Sequence, residues 1–290
     1  MPYTIITDSC SNLPESMIDE YGIEVLPLVF LIDGKHCTSY TKGNVTNLKE
    51  FYTLLREGKL ITTSLPNLGD ARATIEERLK QGDDILYLGF SSALSGTYEA
   101  VEGLCKELKQ QYPDRKLITV DTLAAALGEG MLVAKAAAMK QAGATIEEVA
   151  QWVQDNRLHQ AHWFTVDDLM YLFRGGRVSR TSAFAANMLS IKPVLHVDDA
   201  GALIPMEKVR GRKKSIKALV DHMEQTGVRP LQGQTVYISH GDCEDDAEAL
   251  RQLIYERFGV EDFLIRCLDP VIGAHSGPGT LALFFEATQR

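Results

Sequence analysis

Ile85-Leu86-Tyr87-Leu88-Gly89-Phe90-Ser91-Ser92-Ala93-Leu94-Ser95-Gly96-Thr97-Tyr98 is the stretch from which the rest of the chain can be read. Residues 85–90 form an apolar run of strand length, as expected of a strand buried on both faces. Residues 91–98 form a turn rich in hydroxyls and small residues. Residues 99–111 then place Ala100, Leu104 and Leu108 at helical spacing. A strand, a hydroxyl-rich turn and a helix bring side-chain O–H groups to a helix N-terminus, where backbone N–H groups lack internal partners and the dipole favours an anion. The turn has no phosphate-loop lysine, so a carboxylate suits it better than a nucleotide.

Outward from this stretch the first half alternates strand and helix signals. Residues 3–7 read as a strand, followed by Asp8-Ser9-Cys10-Ser11-Asn12 and a helix opened by Pro14. Residues 23–31 read as a second strand, and Thr46 can cap a helix through residue 57. Thr62-Thr63-Ser64-Leu65-Pro66 precedes another helix to about residue 81. Residues 116–120 are a strand ending in Asp121-Thr122, and an alanine-rich helix covers 123–141. Thr145-Ile146-Glu147-Glu148 is a capping box. Strands separated by helices imply a parallel sheet with helices on both faces. The polar clusters at Asp8-Ser9, at 91–97 and at Asp121-Thr122 all fall at strand ends. In such a sheet those ends share one edge, where ligands bind.

The pattern changes near Gln160. A strand at 163–166 is followed by Arg174-Gly175-Gly176-Arg177, and strands at 193–197 and 203–208 flank the turn Asp198-Asp199-Ala200-Gly201 as a hairpin. Helices at 213–224 and 245–257 alternate with strands at 235–239 and 263–268. The chain then runs through a loop at 274–279 into an apolar tail. The expected architecture is α/β, with an N-terminal domain over 1–160 built on a parallel sheet and a smaller mixed α/β domain over 161–290.

The 290 residues are 45% hydrophobic, enough for one large domain or two modest ones. A formal net charge of -9 speaks against nonspecific nucleic-acid binding, although a local basic face remains compatible with it. No apolar run has the length of a membrane span, and residues 1–7 lack the basic and apolar regions of a signal peptide. The five cysteines are scattered without a C-x-x-C pair, which fits a reducing compartment and makes the cytoplasm the default location. Neither G-x-G-x-x-G nor the phosphate-loop pattern occurs, so no nucleotide cofactor is expected; His240 and Cys243 lack a second pair at metal-ligand spacing.

Several groups are candidates for chemistry, each with an ordinary structural alternative. Ser95 is the first, with Ser91, Ser92 and Thr97 around it. One helix cap needs one hydroxyl, and an ionised carboxylate can accept bonds from several. Thr63 and Ser64 by themselves read as a cap before the proline-opened helix. His275 stands beside Gly277, Pro278 and Gly279, where backbone can approach a ligand closely. Arg174 and Arg177, and the cluster 208–214, are either solvated charge or a docking face for an acidic partner or a phosphate. Gly89-Phe90-Ser91-Ser92-Ala93 approaches the nucleophile elbow G-x-S-x-G, with Asp269 and His275 following in hydrolase order. A serine hydrolase or acyltransferase using Ser91 and His275 is therefore the alternative. The closeness of Asp269 to His275 in sequence and the redundancy of the hydroxyls weigh against it.

Taken in order, these segments resemble the DegV family. The resemblance rests on Thr7-Asp8-Ser9 with Leu13-Pro14, Thr63-Ser64-Leu65-Pro66, Ser92-Ala93-Leu94-Ser95-Gly96-Thr97-Tyr98, Val120-Asp121-Thr122, Arg174-Gly175-Gly176-Arg177, Ile191-Lys192-Pro193-Val194 and His275-Ser276-Gly277-Pro278-Gly279. Together they span essentially the whole chain. The resemblance implies a non-enzymatic carrier that encloses one long-chain, palmitate-like fatty acid between two domains, as the FakB subunits of bacterial fatty acid kinase do. It implies a separate ATP-binding kinase subunit, FakA-like, that phosphorylates the bound carboxylate to feed phospholipid synthesis. By position, Thr63 and Ser95 match the family's carboxylate-binding residues, with Ser64, Ser92, Gly96, Thr97, His275 and Gly277 around them. Arg174 and Arg177 match the kinase-facing motif. Leu65, Asn67, Cys10, Asn12 and Ser276 depart from the common pattern without removing a head-group hydroxyl. On this reading the acid is gripped by uncharged donors, with the arginines in separate segments.

Overall fold

The computed structural model describes residues 2–44, 46–179 and 191–290. In the first half, β1 (Tyr3–Asp8) leads to α1 (Glu15–Tyr21), β2 (Glu24–Leu26), β3 (Val29–Ile32), β4 (Lys35–Thr38) and α2 (Leu48–Arg56). These are followed by β5 (Ile61–Ser64), α3 (Leu68–Lys80), β6 (Asp84–Gly89), α4 (Thr97–Gln111), β7 (Leu117–Asp121), α5 (Leu127–Gln141) and α6 (Ile146–Asn156). The second half holds β8 (Gln160–Thr165), α7 (Met170–Arg174), β9 (Ile191–Val197), β10 (Leu203–Arg210), α8 (Arg212–Thr226), β11 (Val236–His240), α9 (Glu244–Phe258), β12 (Phe263–Cys267), α10 (Pro270–Ser276) and β13 (Leu281–Glu286).

The described strands form a parallel sheet in the order β2-β1-β6-β7, an antiparallel sheet β4-β3-β5, and a sheet β10-β9-β8-β13-β11-β12 whose pairs are antiparallel except β11 with β12. β1 and β6 are buried along their whole length, which accounts for their apolar composition. From β1 the chain goes to β2 on one side, and from β6 to β7 on the other. The loops after β1 and β6 therefore open at a point where the strand order reverses, the place in a parallel sheet where a crevice forms. Residues 23–31, expected as one strand, divide into β2 and β3 in different sheets. Pro27, which has no N–H to give a ladder, stands at the break.

The alanine-rich segment is α5, buried over nearly its whole circumference because it lies between two sheets, touching β1 on one side and β8, β11 and β13 on the other. Small residues permit that approach. A Cβ at Gly128 would meet the His162 ring at 2.1 Å, and one at Gly130 would meet the Ser11 carbonyl at 2.4 Å. The apolar tail is β13, which inserts in the middle of the six-stranded sheet between β8 and β11. Its alternation sorts two environments. Leu281, Leu283 and Phe285 join the core beneath α8 and α9, whereas Ala282 and Phe284 face the parallel-sheet half and share its core. No described helix is long and apolar enough to cross a membrane.

Candidate functional site

The turn after β6 is held from below by the loop after β1. The buried Asp8 carboxylate accepts from the Phe90 N–H at 3.0 Å, the Cys10 N–H at 3.0 Å and the Tyr87 hydroxyl at 3.2 Å. Burial still pushes its pKa up to about 6. Asp8 is thus committed to the scaffold. Ser91 is committed too: its fully buried hydroxyl donates to the Gly201 carbonyl at 2.9 Å, fastening the β9–β10 hairpin onto this turn. Asp269 caps α10, accepting from the Val271 and Ile272 N–H groups. Neither residue is hydrogen-bonded to His275, so no Ser91–His275–Asp269 relay is assembled, and the hydrolase reading loses its nucleophile.

The residues left facing inward bound a cavity of about 350 Å3. Its walls are largely apolar, with Phe90 and Leu94 from the turn after β6, Phe164 from β8, Ala282 and Phe284 from β13, and Leu268 and Val271 around the start of α10. Thr63, Ser64, Ser95, Gly96, His275, Ser276 and Arg177 also line it. Thr63 and Ser64 do not cap the following helix. They end β5, antiparallel to β3, and Asn67 caps α3 in their place. That leaves the Thr63 hydroxyl to pair with His275 Nε2 at 2.7 Å. Ser95 Oγ accepts the Thr97 N–H at 3.2 Å and lies 2.9 Å from the buried Thr97 hydroxyl. Either hydroxyl can donate in that pair, and when Thr97 does, the Ser95 proton is available to the cavity.

His275 was expected in a loop but occupies the last turn of α10. Burial, reinforced by the Arg177 charge, pushes its pKa down to about 4, so the ring is neutral at neutral pH. Its Nδ1 lies against the α-carbon of Gly175, where an added Cβ would come within 2.2 Å. Among the described residues no acceptor is bonded to Nδ1; in the tautomer with the proton on Nε2, that N–H donates to Thr63 Oγ1. The Thr63 hydroxyl proton is then free for a ligand. Gly175 sits in the arginine–glycine segment because the imidazole packs on it.

Of the other sequence candidates, Ser92 is outside the cavity lining, with its N–H donating to Asp121 Oδ1 at 3.3 Å. Thr97 is buried behind Ser95, and Gly277 ends α10 at φ 80° against the Tyr171 ring. Arg174 is exposed. Arg177, by contrast, turns inward: its Nε donates to the Leu94 carbonyl at 2.9 Å, a second N–H reaches the Gly175 carbonyl, and the side chain borders the cavity. Both arginines come from a segment separate from the hydroxyl-bearing turns, and of the two it is Arg177 that borders the cavity. Sequence reasoning also passed over Phe164, Ala282 and Phe284; the two-residue alternation on β8 and β13 was the signal that could have found them. Among the described residues no cluster of three or more His, Cys, Asp or Glu could hold a metal ion.

Comparison with known proteins places this geometry in context. The model of the DegV family, described as an uncharacterised protein family, matches residues 2–288. A DegV domain-containing protein of Clostridium perfringens is 46% identical over 283 residues, covering 98% of this chain and 97% of the relative. A solved DegV family protein from Thermus thermophilus, described by its fatty acid binding, superposes with a TM-score of 0.87 at 31% identity, over 99% of this chain and 100% of the other. A DegV lipid-binding protein from Thermotoga maritima superposes with a TM-score of 0.85 at 31% identity, covering all of both chains.

Proposed function

Because this chain belongs to the DegV family, we propose that it binds one long-chain, palmitate-like fatty acid and presents the carboxylate to a separate ATP-binding kinase subunit. The observation that carries the reading is the cavity itself, a space of about 350 Å3 with largely apolar walls and a cluster of hydroxyls, an imidazole and Arg177 at its border. That volume is within the ordinary range for small-molecule sites. Similar proteins described as fatty-acid and lipid binders support the same reading.

The energetics favour such a ligand. Each buried methylene contributes about 0.8 kcal/mol, so a palmitate-sized tail contributes on the order of 10 kcal/mol before binding costs. A buried carboxylate needs donors; the Thr63 and Ser95 hydroxyls supply them, and Arg177 adds positive potential from the wall. The halves 1–160 and 161–290 act as the two units that enclose the acid, in the cytoplasm. The protein is a carrier: the kinase supplies ATP, a carboxylate oxygen takes its terminal phosphoryl group, and ADP leaves. Arg174, exposed at the end of α7, is the docking cation; Arg177 is a positioning residue that holds the turn at Leu94.

Mass spectrometry of lipid extracted from the purified protein tests the binding step. Long-chain fatty acid at about one equivalent is expected, and the Thr63→Ala, Ser95→Ala double variant should lose it. Unchanged lipid in a folded double variant rejects the head-group assignment. Charge reversal, Arg174→Glu, should weaken association with the kinase subunit while lipid content stays constant; unaltered association rejects the docking role.

A further inference from the structure

We infer that the cleft on the outer side of the Thr63–His275 pair is a subsite for a phosphate group, placed next to the head group in the acyl cavity. This rests on the fatty-acid reading above. The cleft encloses about 270 Å3 and shares Thr63, Arg177 and His275 with the acyl cavity. The two spaces therefore adjoin at these residues, of which Thr63 and His275 are joined by a 2.7 Å hydrogen bond.

The charge of the cleft is unusual for this molecule. Among the described residues that line it are Lys59, Arg174 and Arg177 and no carboxylate, in a chain with a formal net charge of -9. Among the described residues, the Arg174 side chain has no ion pair or hydrogen bond. Lys59 is set at the rim by the turn that ends α2, where its N–H donates to the Leu54 carbonyl, and Gly58 beside it has φ 83°. The Lys59 ammonium lies 2.6 Å from Asp33, a residue 70% exposed. An exposed pair of that kind is weak, so an anion in the cleft can replace Asp33. The hydroxyl-bearing Thr62 and Thr63 complete the wall.

A lone carboxylate is satisfied by one cation and a hydroxyl. Three cations around one cleft match the higher charge and greater number of acceptor oxygens of a phosphate. The adjoining carboxylate site makes the source an acyl phosphate, whose phosphate projects past Thr63 while its chain stays in the cavity. A free inorganic phosphate has the same chemistry, and the test separates the two.

The experiment titrates delipidated full-length protein by calorimetry with palmitate, with hexadecyl phosphate as a stable probe, and with inorganic phosphate. Lys59→Ala is expected to weaken hexadecyl phosphate by about tenfold and to leave palmitate within about twofold. Arg174→Ala should weaken hexadecyl phosphate to a similar degree. Inorganic phosphate that binds palmitate-loaded protein, and is lost in Lys59→Ala, also supports the subsite and assigns it to the free ion. Unchanged affinity for both phosphate probes in both variants, with native circular dichroism, overturns the subsite. Failure of palmitate to bind the unsubstituted protein refutes the fatty-acid reading instead, and the inorganic phosphate arm then still decides whether the cleft takes phosphate.

Discussion

Replacing Thr63 by Val isolates the head-group chemistry, because the side chain keeps nearly the same shape and loses its hydroxyl. In the structure that hydroxyl lies 2.7 Å from His275 Nε2 and borders the cavity, and with the imidazole proton on Nε2 its own proton is free for a ligand. A hydrogen bond to a charged group contributes about 1.5–3 kcal/mol. Its removal should therefore weaken palmitate by roughly 10- to 150-fold. The tail contribution, on the order of 10 kcal/mol gross, is untouched, so binding should be weakened and not abolished. The variant also leaves His275 Nε2 without its hydrogen-bond partner in a largely buried setting, which should lower stability by about 1–3 kcal/mol. Isothermal titration of delipidated protein with palmitate and with hexadecanol is the assay. Hexadecanol carries no charge and should lose far less affinity. Thr63→Ser, which restores the hydroxyl, should recover most of the palmitate affinity. A folded Thr63→Val variant that binds palmitate within about twofold of the original, or that loses hexadecanol equally, refutes the assignment of the carboxylate to Thr63.

Other expectations follow from the same geometry. Gly175→Ala has an ordinary helical φ of -72° but places a Cβ 2.2 Å from His275 Nδ1, so fatty-acid affinity should fall while circular dichroism stays native; full affinity would show that the imidazole position is unimportant. Ser91→Ala removes the donor to Gly201 and should lower stability in urea titration by about 1 kcal/mol, without loss of bound lipid; covalent labelling of Ser91 by a fluorophosphonate would revive the hydrolase reading. Burial holds the Asp269 pKa up at about 7. Between roughly pH 4 and 7 the folded state keeps a proton that the unfolded state has released, so the stability contributed by this group is lost as pH rises through the folded value. Asp269→Asn can still cap α10 and should flatten the decline in stability between about pH 4 and 7; an unchanged slope in urea titrations would mean that the carboxyl does not titrate there.

Several features of this chain were legible one segment at a time. The buried strand at residues 85–90, the capping box at Thr145 and Glu148, and the hairpin around Gly201 depend on neighbours within a few residues, where period, caps and turn chemistry act. The α/β class followed from their order. Ser95 stood out because four hydroxyls exceed the need of one cap, and in the structure the other three do not line the cavity: Ser91 fastens a hairpin, Thr97 is buried beside Ser95, and Ser92 lies outside the lining.

What the tertiary structure alone decided is which side chains share a space. Thr63 and His275 are 212 positions apart, and their hydrogen bond exists because α10 packs against β5. Arg177 and Arg174 are three residues apart with the same chemistry, yet one turns inward to the Leu94 carbonyl and the other remains exposed. The apolar tail became a cavity wall only when β13 entered between β8 and β11, with Ala282 and Phe284 on one face and Leu281 and Leu283 on the other. Local sequence sets backbone preference through short-range sterics and hydrogen bonding, whereas a binding site is a set of long-range contacts that close packing selects among many sterically allowed alternatives.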